Sequence, residues 1–267
     1  APYLVELTTE EQRKRWLPGV ATGELLTAIG MTEPSGGSDL AALKTTAVKD
    51  GDSWVINGSK TFITNGYSAD LVVVAARTAP EKKARGITLF GVDTKADGYS
   101  RGRKLDKVGQ EESDTAELFF EDVRVSEHDI VGELDNGFIH MMENLPQARL
   151  GCAISNLAHA RQILVETLEY AKERKAFGQA IGAFQHNKFL LADLVTRVEV
   201  TQAYVDQCVL AHAEGLLEGV DAAKAKWWTA QVQNEVLDHF VQLHGGYGFM
   251  NEYRVARAWK DARVTKM

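Results

Sequence analysis

Thr45-Thr46-Ala47-Val48-Lys49-Asp50-Gly51-Asp52-Ser53-Trp54-Val55-Ile56 reads as two β-rich runs around a turn. β-Branched and aromatic residues on both sides suit a pleated, half-buried surface, and Asp-Gly between such runs is a strong short-range hairpin signal. Working outward, Leu71-Val72-Val73-Val74-Ala75-Ala76 is a buried-strand run. Ile87-Thr88-Leu89-Phe90-Gly91-Val92 and Ala116-Glu117-Leu118-Phe119-Phe120 continue the series, with Asn57-Gly58 and Asn65-Gly66 marking further turns. From about residue 24 to 131 no helical pattern intervenes, and this spacing predicts an antiparallel sheet or small barrel.

The flanks differ. Upstream, residues 8–17 read as a short helix opened by a Thr8/Glu11 capping box and stopped by Pro18-Gly19. Downstream, the periodicity changes near 135 and stays helical. Leu150, Ile154, Leu157, Leu164 and Leu168 mark one segment, and Pro146 in its first part predicts a kink or a helix start. Leu194, Val198, Val205, Val209 and His212 form the stripe of a second, and Trp228, Val232, Val236 and Phe240 that of a third. Three long amphipathic helices in series predict a bundle. A bundle normally wants a fourth helix, and none is read before Met267. The run Glu81-Lys82-Lys83-Ala84-Arg85 reads as a solvated loop.

The chain has 267 residues, room for about two domains at roughly 100–200 residues each. A net charge of −7 argues against nucleic acid as the main partner, because phosphate backbones need a basic surface. It leaves room for a local phosphate pocket of Arg, Ser and backbone N–H groups. Cys152 and Cys208 sit in apolar helical contexts with no CxxC, as small hydrophobes do. No metal site is expected. No apolar run approaches the roughly 20 residues of a membrane span. No signal peptide is read, and Ala1-Pro2-Tyr3 does not resemble a natural start.

Four stretches carry candidate chemistry. In Met31-Thr32-Glu33-Pro34-Ser35-Gly36-Gly37-Ser38-Asp39, glycines permit close backbone approach to a ligand and Thr32 and Ser38 add hydroxyls. Phe62-Ile63-Thr64 sets an aromatic beside a hydroxyl, a pair able to stack on and hydrogen-bond a flat heterocycle. Arg174-Lys175-Ala176-Phe177-Gly178 places cations at a helix C-terminus, where the dipole favours them, with Gly178 a candidate cap. Gln242-Leu243-His244-Gly245-Gly246-Tyr247-Gly248 ends the third helix. Each alone also suits an ordinary loop, strand or cap, and His128, His140 and His244 read individually as structural histidines. No Ser-His-Asp order, HExxH or P-loop is present.

Together these stretches resemble the acyl-CoA dehydrogenase family. The matches run in family order across essentially the whole chain: 31–39, Asn57-Gly58-Ser59-Lys60-Thr61-Phe62-Ile63-Thr64-Asn65-Gly66, 174–178, 242–248 and Asp261-Ala262-Arg263. The resemblance implies an α+β fold: a central antiparallel β-barrel-like domain followed by an up-down helical bundle. Residues 1–23 would be the end of an N-terminal helical domain that is otherwise missing, 24–132 the β domain, and 133–267 the bundle without its last helix. It implies bound FAD, with Ile29, Met31, Thr32, Gly37, Ser38, Phe62, Ile63 and Thr64 along the flavin. Arg174, Phe177, Gln185, Gln242, Leu243, Gly245 and Gly246 would hold the FAD of a neighbouring subunit, so a homo-oligomer, commonly a tetramer, is implied. Ser38, Ile139, Pro146, Gln147 and Arg149 would face substrate. The implied reaction is α,β-dehydrogenation of an acyl-CoA thioester in fatty-acid metabolism, with electrons leaving to an electron-transferring flavoprotein. The implied location is cytoplasmic for a bacterial chain and the mitochondrial matrix for a eukaryotic one.

One position departs from the pattern. The stretch Glu143-Asn144-Leu145-Pro146-Gln147-Ala148-Arg149-Leu150 resembles the long-chain type, and the family's catalytic Glu would fall on Ala148, which cannot take a proton. Glu143 lies five residues earlier, about 500° of helical rotation away, and faces elsewhere. Three accounts stay open: an engineered substitution, a base on a loop beyond Met267, or a divergent member. Other flavoenzymes of this fold, nitroalkane-oxidase-like or flavin-monooxygenase-like, and a non-catalytic acyl-CoA-binding protein are the alternatives.

Overall fold

The computed structural model describes residues 2–267; Ala1, the first residue of the stretch read as an unnatural start, lies outside the described residues. The chain folds as two units, 1–107 with 111–144, and 108–110 with 145–267.

The first unit opens with helices α1 (Pro2–Glu6) and α2 (Glu10–Thr22). The capping box is Thr9/Gln12, one residue later than Thr8/Glu11. Two overlapping boxes fit the sequence, and Thr8 spends its hydroxyl on the Leu4 carbonyl. Helix α2 also continues through Pro18-Gly19 to a left-handed cap at Gly23 (φ 78°), so the proline costs one rung and does not end the helix.

Eight strands follow: β1 (Thr27–Gly30), β2 (Thr46–Asp50), β3 (Ser53–Thr64), β4 (Leu71–Arg77), β5 (Ile87–Asp93), β6 (Tyr99–Lys104), β7 (Thr115–Ser126) and β8 (Ile130–Val131). They form one sheet ordered β6-β7-β3-β2-β4-β5-β8, with β1 pairing β4. Most pairings are antiparallel, but β1 runs parallel to β4 and β2 meets β4 in parallel at Thr46/Arg77. The sheet is therefore mixed where an antiparallel one was expected. The hairpin pairs Asp50 with Ser53, leaving Gly51-Asp52 as its two-residue loop with Gly51 at φ 62°. Asn65-Gly66 is a turn as expected. Asn57-Gly58 is not: it lies inside β3 as a bulge, and a Cβ on Gly58 would come within 2.6 Å of the Thr45 hydroxyl.

The period-2 alternation of β4 explains its unbroken apolar run. Val72, Val74 and Ala76 join the cluster with Trp54, Ile56, Phe90 and Leu118, while Leu71, Val73 and Ala75 face the other way onto Trp16, Leu89 and Met141. Both faces are covered, and each buried valine or leucine among them contributes roughly 1.5–3 kcal/mol.

Helix α3 (Gly137–Glu173) is continuous and carries Pro146 inside it, so its start lies nine residues before the proline. Beyond it come a two-stranded hairpin, β9 (Lys175–Ala176) with β10 (Gln179–Ala180), then α4 (Gln185–Ala213), α5 (Gly219–His244) and α6 (Arg254–Ala262). Phe177 and Gly178 take φ 51° and 82° at the hairpin turn, so Gly178 is a turn residue and not the helix cap. The bundle core is Leu157, Leu164, Leu194, Val198, Val205, Val232, Val236 and Phe240, joined by Val255, Ala258 and Ala262 of α6. Helix α6 was not read from the sequence, being only nine residues long with four charged residues among them. On α4 the stripe drifts: Cys208 is buried, whereas Val209 and His212 face outward. Ile154 of α3 is likewise exposed. Both cysteines are free thiols. No described helix is long and apolar enough to cross a membrane.

Candidate functional site

In the first unit, β1 ends at Gly30 and the chain turns through Met31–Asp39. Glu33 and Gly36 exchange backbone hydrogen bonds of 3.1 and 3.0 Å, and the Thr61 N–H donates to the Thr32 carbonyl at 2.9 Å. That last bond lays the loop along the end of β3. There the register slips by one residue between Lys60 and Ile63, and Phe62 takes φ 57° with 68% of its surface exposed. A bulky residue in left-handed backbone is uncommon and often marks a functional site. The bulge leaves the Phe62 ring exposed, as is Thr64, while Ile63 packs into the sheet core. Gly37 and Ser38 are exposed, Thr32 is half-buried, and Ile29 and Met31 pack against the second core cluster. A Cβ on Gly37 would meet the Thr32 methyl at 3.2 Å, so glycine keeps the loop close over that side chain.

Beneath this surface lies a buried ion pair. Lys60 Nζ donates to Glu33 Oε1 at 2.8 Å, with side-chain exposures of 0% and 3%. The Glu33 carboxylate also accepts the backbone N–H groups of Lys44 (2.5 Å) and Thr45 (2.9 Å). Burial pushes the Glu33 carboxyl pKa up, but hydrogen bonds from Lys60, Thr45 and Lys44 outweigh it and hold it below the ordinary value. Burial pulls the Lys60 pKa down against the pull of Glu33. Neither residue was singled out from the sequence, and a lysine two residues before an aromatic gives no sign that it is buried.

In the second unit, a cleft of about 460 Å³ is lined by Tyr170, Arg174, Ile181, Gln242, Leu243, His244, Gly245, Gly246, Tyr247 and Met250. Five of the predicted residues, Arg174, Gln242, Leu243, Gly245 and Gly246, thus share one wall system. Gln185 opens α4 and Phe177 stands 97% exposed at the hairpin tip; neither lines the cleft. The Ile181 N–H donates to the Arg174 carbonyl at 2.8 Å, which fixes the hairpin across the end of α3. Gly245 caps α5 at φ 59°, and the space where its Cβ or that of Gly246 would sit is open.

Aromatic contacts floor the cleft. His244 stacks on Tyr170 with centroids 4.1 Å apart, Tyr247 stacks on Tyr253 at 4.9 Å, and the Arg174 guanidinium lies 5.8 Å over the Tyr247 ring. His244 Nδ1–H donates to the Phe240 carbonyl at 2.8 Å. Burial lowers the His244 pKa against that hydrogen bond and Glu166. A neutral, packed imidazole is a structural one. Tyr170 was not read from the sequence, yet it stands one helical turn before Arg174, a spacing that shares a face.

Among the remaining predicted residues, Pro146, Gln147, Ala148 and Arg149 follow one another on α3. At about 100° per residue they fan around most of the helix and cannot all line one wall. Ala148 is exposed, Pro146, Gln147 and Arg149 are half-buried, and Ile139 is 42% exposed. Among the described residues no cluster of three His, Cys, Asp or Glu could hold a metal ion.

Both surfaces fit parts of a flavin dinucleotide. An outward aromatic flanked by hydroxyls and loop N–H groups suits a flat heterocycle. An arginine beside two glycines with open space suits a pyrophosphate.

Two family models match: acyl-CoA dehydrogenase, middle domain, over residues 28–123, and acyl-CoA dehydrogenase, C-terminal domain, over 135–267. The chain is 46% identical to the mitochondrial long-chain specific acyl-CoA dehydrogenase of Sus scrofa over 98% of its own length and 62% of that protein. It is 38% identical to the caffeyl-CoA reductase–Etf complex subunit CarC of Acetobacterium woodii, over 96% of this chain and 68% of that one. The crystal structure of an acyl-CoA dehydrogenase from Geobacillus kaustophilus superposes with a TM-score of 0.97 at 46% identity, covering all of this chain and 70% of that one.

Proposed function

The chain belongs to the acyl-CoA dehydrogenase family, and on that premise we propose that it is the FAD- and acyl-CoA-handling part of an enzyme that dehydrogenates acyl-CoA thioesters between the α and β carbons. The observation that carries the reading is the gathering of Arg174, Gln242, Leu243, Gly245 and Gly246 around one cleft, on a chain whose family uses FAD. When bound, FAD supplies the hydride acceptor. Thr32, Ser38, Phe62 and Thr64 orient the heterocycle by stacking and hydrogen bonding, with Gly37 and Ser38 exposed at the end of the loop. Arg174 holds the pyrophosphate of a neighbouring subunit's cofactor with its paired donors, and Phe177 and Gln185 flank that contact from outside the cleft. Ser38, Ile139, Pro146, Gln147 and Arg149 are the proposed acyl-CoA contacts by resemblance, although Pro146, Gln147 and Arg149 do not share one face of α3.

The chain spans 62% of the length of the mammalian relative described above, so substrate and partners belong to the proposal. An electron-transferring flavoprotein is the proposed electron acceptor; resemblance to a subunit of an Etf complex supports it. The proposed location follows the relatives, cytoplasmic or mitochondrial.

Ala148 favours a second reading. By resemblance it occupies the position where the long-chain type carries its base, and a methyl group neither takes nor holds a proton. On this reading the protein binds acyl-CoA without turning it over. Anaerobic titration of the flavin-loaded, full-length protein with acyl-CoA thioesters of graded length separates the two. Rapid bleaching of the flavin absorbance supports dehydrogenation, with a base supplied elsewhere. A spectral shift without bleaching supports binding alone, and no response overturns both.

A further inference from the structure

Three backbone segments, the turn after β1, Lys44–Thr45 and the bulged end of β3, converge on one buried pair. Glu33 sits in the turn after β1; Lys60 sits at the start of the β3 bulge. The Glu33 carboxylate reaches forward to the N–H groups of Lys44 and Thr45, and Lys60 Nζ reaches back to the Met31 carbonyl at 3.3 Å as well as to Glu33 at 2.8 Å. Packing also fixes the pair: a Cβ on Gly30 would press on Lys60 Cγ at 3.2 Å, so the lysine stem runs directly under the end of β1. Among the ion pairs of the described residues it is the one buried on both sides; the others keep at least one partner more than a third exposed.

Burying two charges is unfavourable enough that a well-packed apolar pair of similar volume often serves stability as well or better. What an apolar pair cannot do is direct four hydrogen bonds to fixed places. Resting on the flavin reading above, we propose that Glu33 and Lys60 are positioning residues: their ion pair clamps the Thr32–Ser38 loop against the Phe62–Thr64 bulge and pre-forms the FAD surface before the cofactor arrives. Neither residue touches the cofactor. Thr32 and Phe62 do, and the pair fixes how far apart they stand.

A clamp and a merely stabilising pair differ in what a paired apolar replacement restores. The test uses the full-length protein stripped of flavin and reconstituted with FAD, in the wild type, Lys60→Met, Glu33→Gln and the double variant Lys60→Met/Glu33→Leu. Three readouts are taken: urea midpoint, FAD Kd from flavin fluorescence, and amide hydrogen exchange at Lys44 and Thr45 without FAD. The single Lys60→Met variant strands a buried carboxylate and is expected to unfold easily; the double variant keeps the test open. Expected for the double variant is a urea midpoint near wild type, faster exchange at Lys44 and Thr45, and an FAD Kd raised at least tenfold, about 1.4 kcal/mol. A double variant that binds FAD as tightly as wild type overturns the clamp and leaves the flavin reading standing. Wild-type protein that binds no FAD overturns the flavin reading itself, and the clamp with it.

Discussion

The β unit and the helical unit each present a surface that the proposed function directs at FAD, and they hold it by different means. Under Phe62 the support is polar and directional: one buried ion pair and a set of backbone hydrogen bonds. Under Arg174 the support is a stack of rings, Tyr170 on His244 and Tyr247 on Tyr253. A directional network fixes distances tightly and loses much when one member is removed, because a partner is left unsatisfied. Ring stacking tolerates small shifts, each pair adding about 0.5–1.5 kcal/mol beyond its buried area. The β surface is thus built to set geometry, and the helical surface to supply charge and contact area.

The comparison also shows what the helical unit lacks. Both charged groups of the Glu33–Lys60 pair have partners, whereas on the proposed reading position 148 of α3 carries a methyl where the long-chain type would place its base. General-base catalysis contributes roughly 10²–10⁴-fold. Ala148→Glu in the full-length protein is therefore expected to raise the rate of acyl-CoA-dependent flavin reduction by about 10²–10⁴-fold, read by anaerobic stopped flow. FAD affinity is expected to stay within a factor of about two, since the change leaves both cofactor surfaces untouched. If the wild type already reduces its flavin quickly and the variant does not improve it, the base stands elsewhere and the helical unit lacks nothing.

The next effects distinguish charge from stacking within the cleft. Arg174→Ala removes a charged, fork-shaped donor, and losing such hydrogen bonds is worth about 1.5–3 kcal/mol, or roughly 10- to 150-fold in FAD Kd. Arg174→Lys keeps the charge but not the fork, and recovers only part of this. Tyr170→Leu keeps apolar volume and removes the stack on His244, costing about 0.5–1.5 kcal/mol, or roughly 2- to 12-fold. Isothermal titration of FAD into stripped protein ranks the three. A Tyr170→Leu loss as large as that of Arg174→Ala would mean the ring stack, and not the arginine, carries the cofactor's charge contact into place.

Much of this was legible in residue patterns, and the misses share a cause. The hairpin at Gly51, the turn at Asn65-Gly66 and the three long helices rest on neighbours in sequence, and they stand where periodicity predicts them. Gly58 looked like a turn because Asn-Gly usually is one; contact with Thr45 thirteen residues away makes it a bulge. The parallel pairing of β1 with β4 joins Thr27 to Leu71, and no local signal encodes a partner so distant. Thr8 and Thr9 both offered a capping box, and only the use of the Thr8 hydroxyl by Leu4 decides between them. The cofactor-directed stretches were recognisable as motifs. Their supports, Lys60 under Gly30 and Tyr170 under His244, became visible only once the chain was folded.

The smallest expected effect is a dependence on pH that only the helical surface shows near neutrality. Burial depresses the His244 pKa below its ordinary value of 6.5, with Glu166 opposing from α3 and itself paired to Arg254 of α6. A histidine whose pKa is lower folded than unfolded stabilises the fold fully above the unfolded value, and that contribution is lost as pH falls toward the folded one. The Tyr170–His244 stack is therefore expected to loosen as pH drops below about 6.5. Glu33 behaves differently: its pKa is held under 4.5, so its contribution is complete above that value and fades only in more acid solution. Between those two values the β surface should hold while the helical surface weakens. His244→Phe keeps a stacking ring and removes the titration. Thermal midpoints of the flavin-free protein, taken in steps from about pH 7.5 to about 5, should fall more steeply in the wild type than in His244→Phe, with His159, half-buried and likewise depressed, leaving a residual slope in both. Equal slopes would mean that the imidazole takes up its proton without disturbing the stack. The contrast between a titrating and a non-titrating support would then be lost, although the contrast between ring and ion pair would remain.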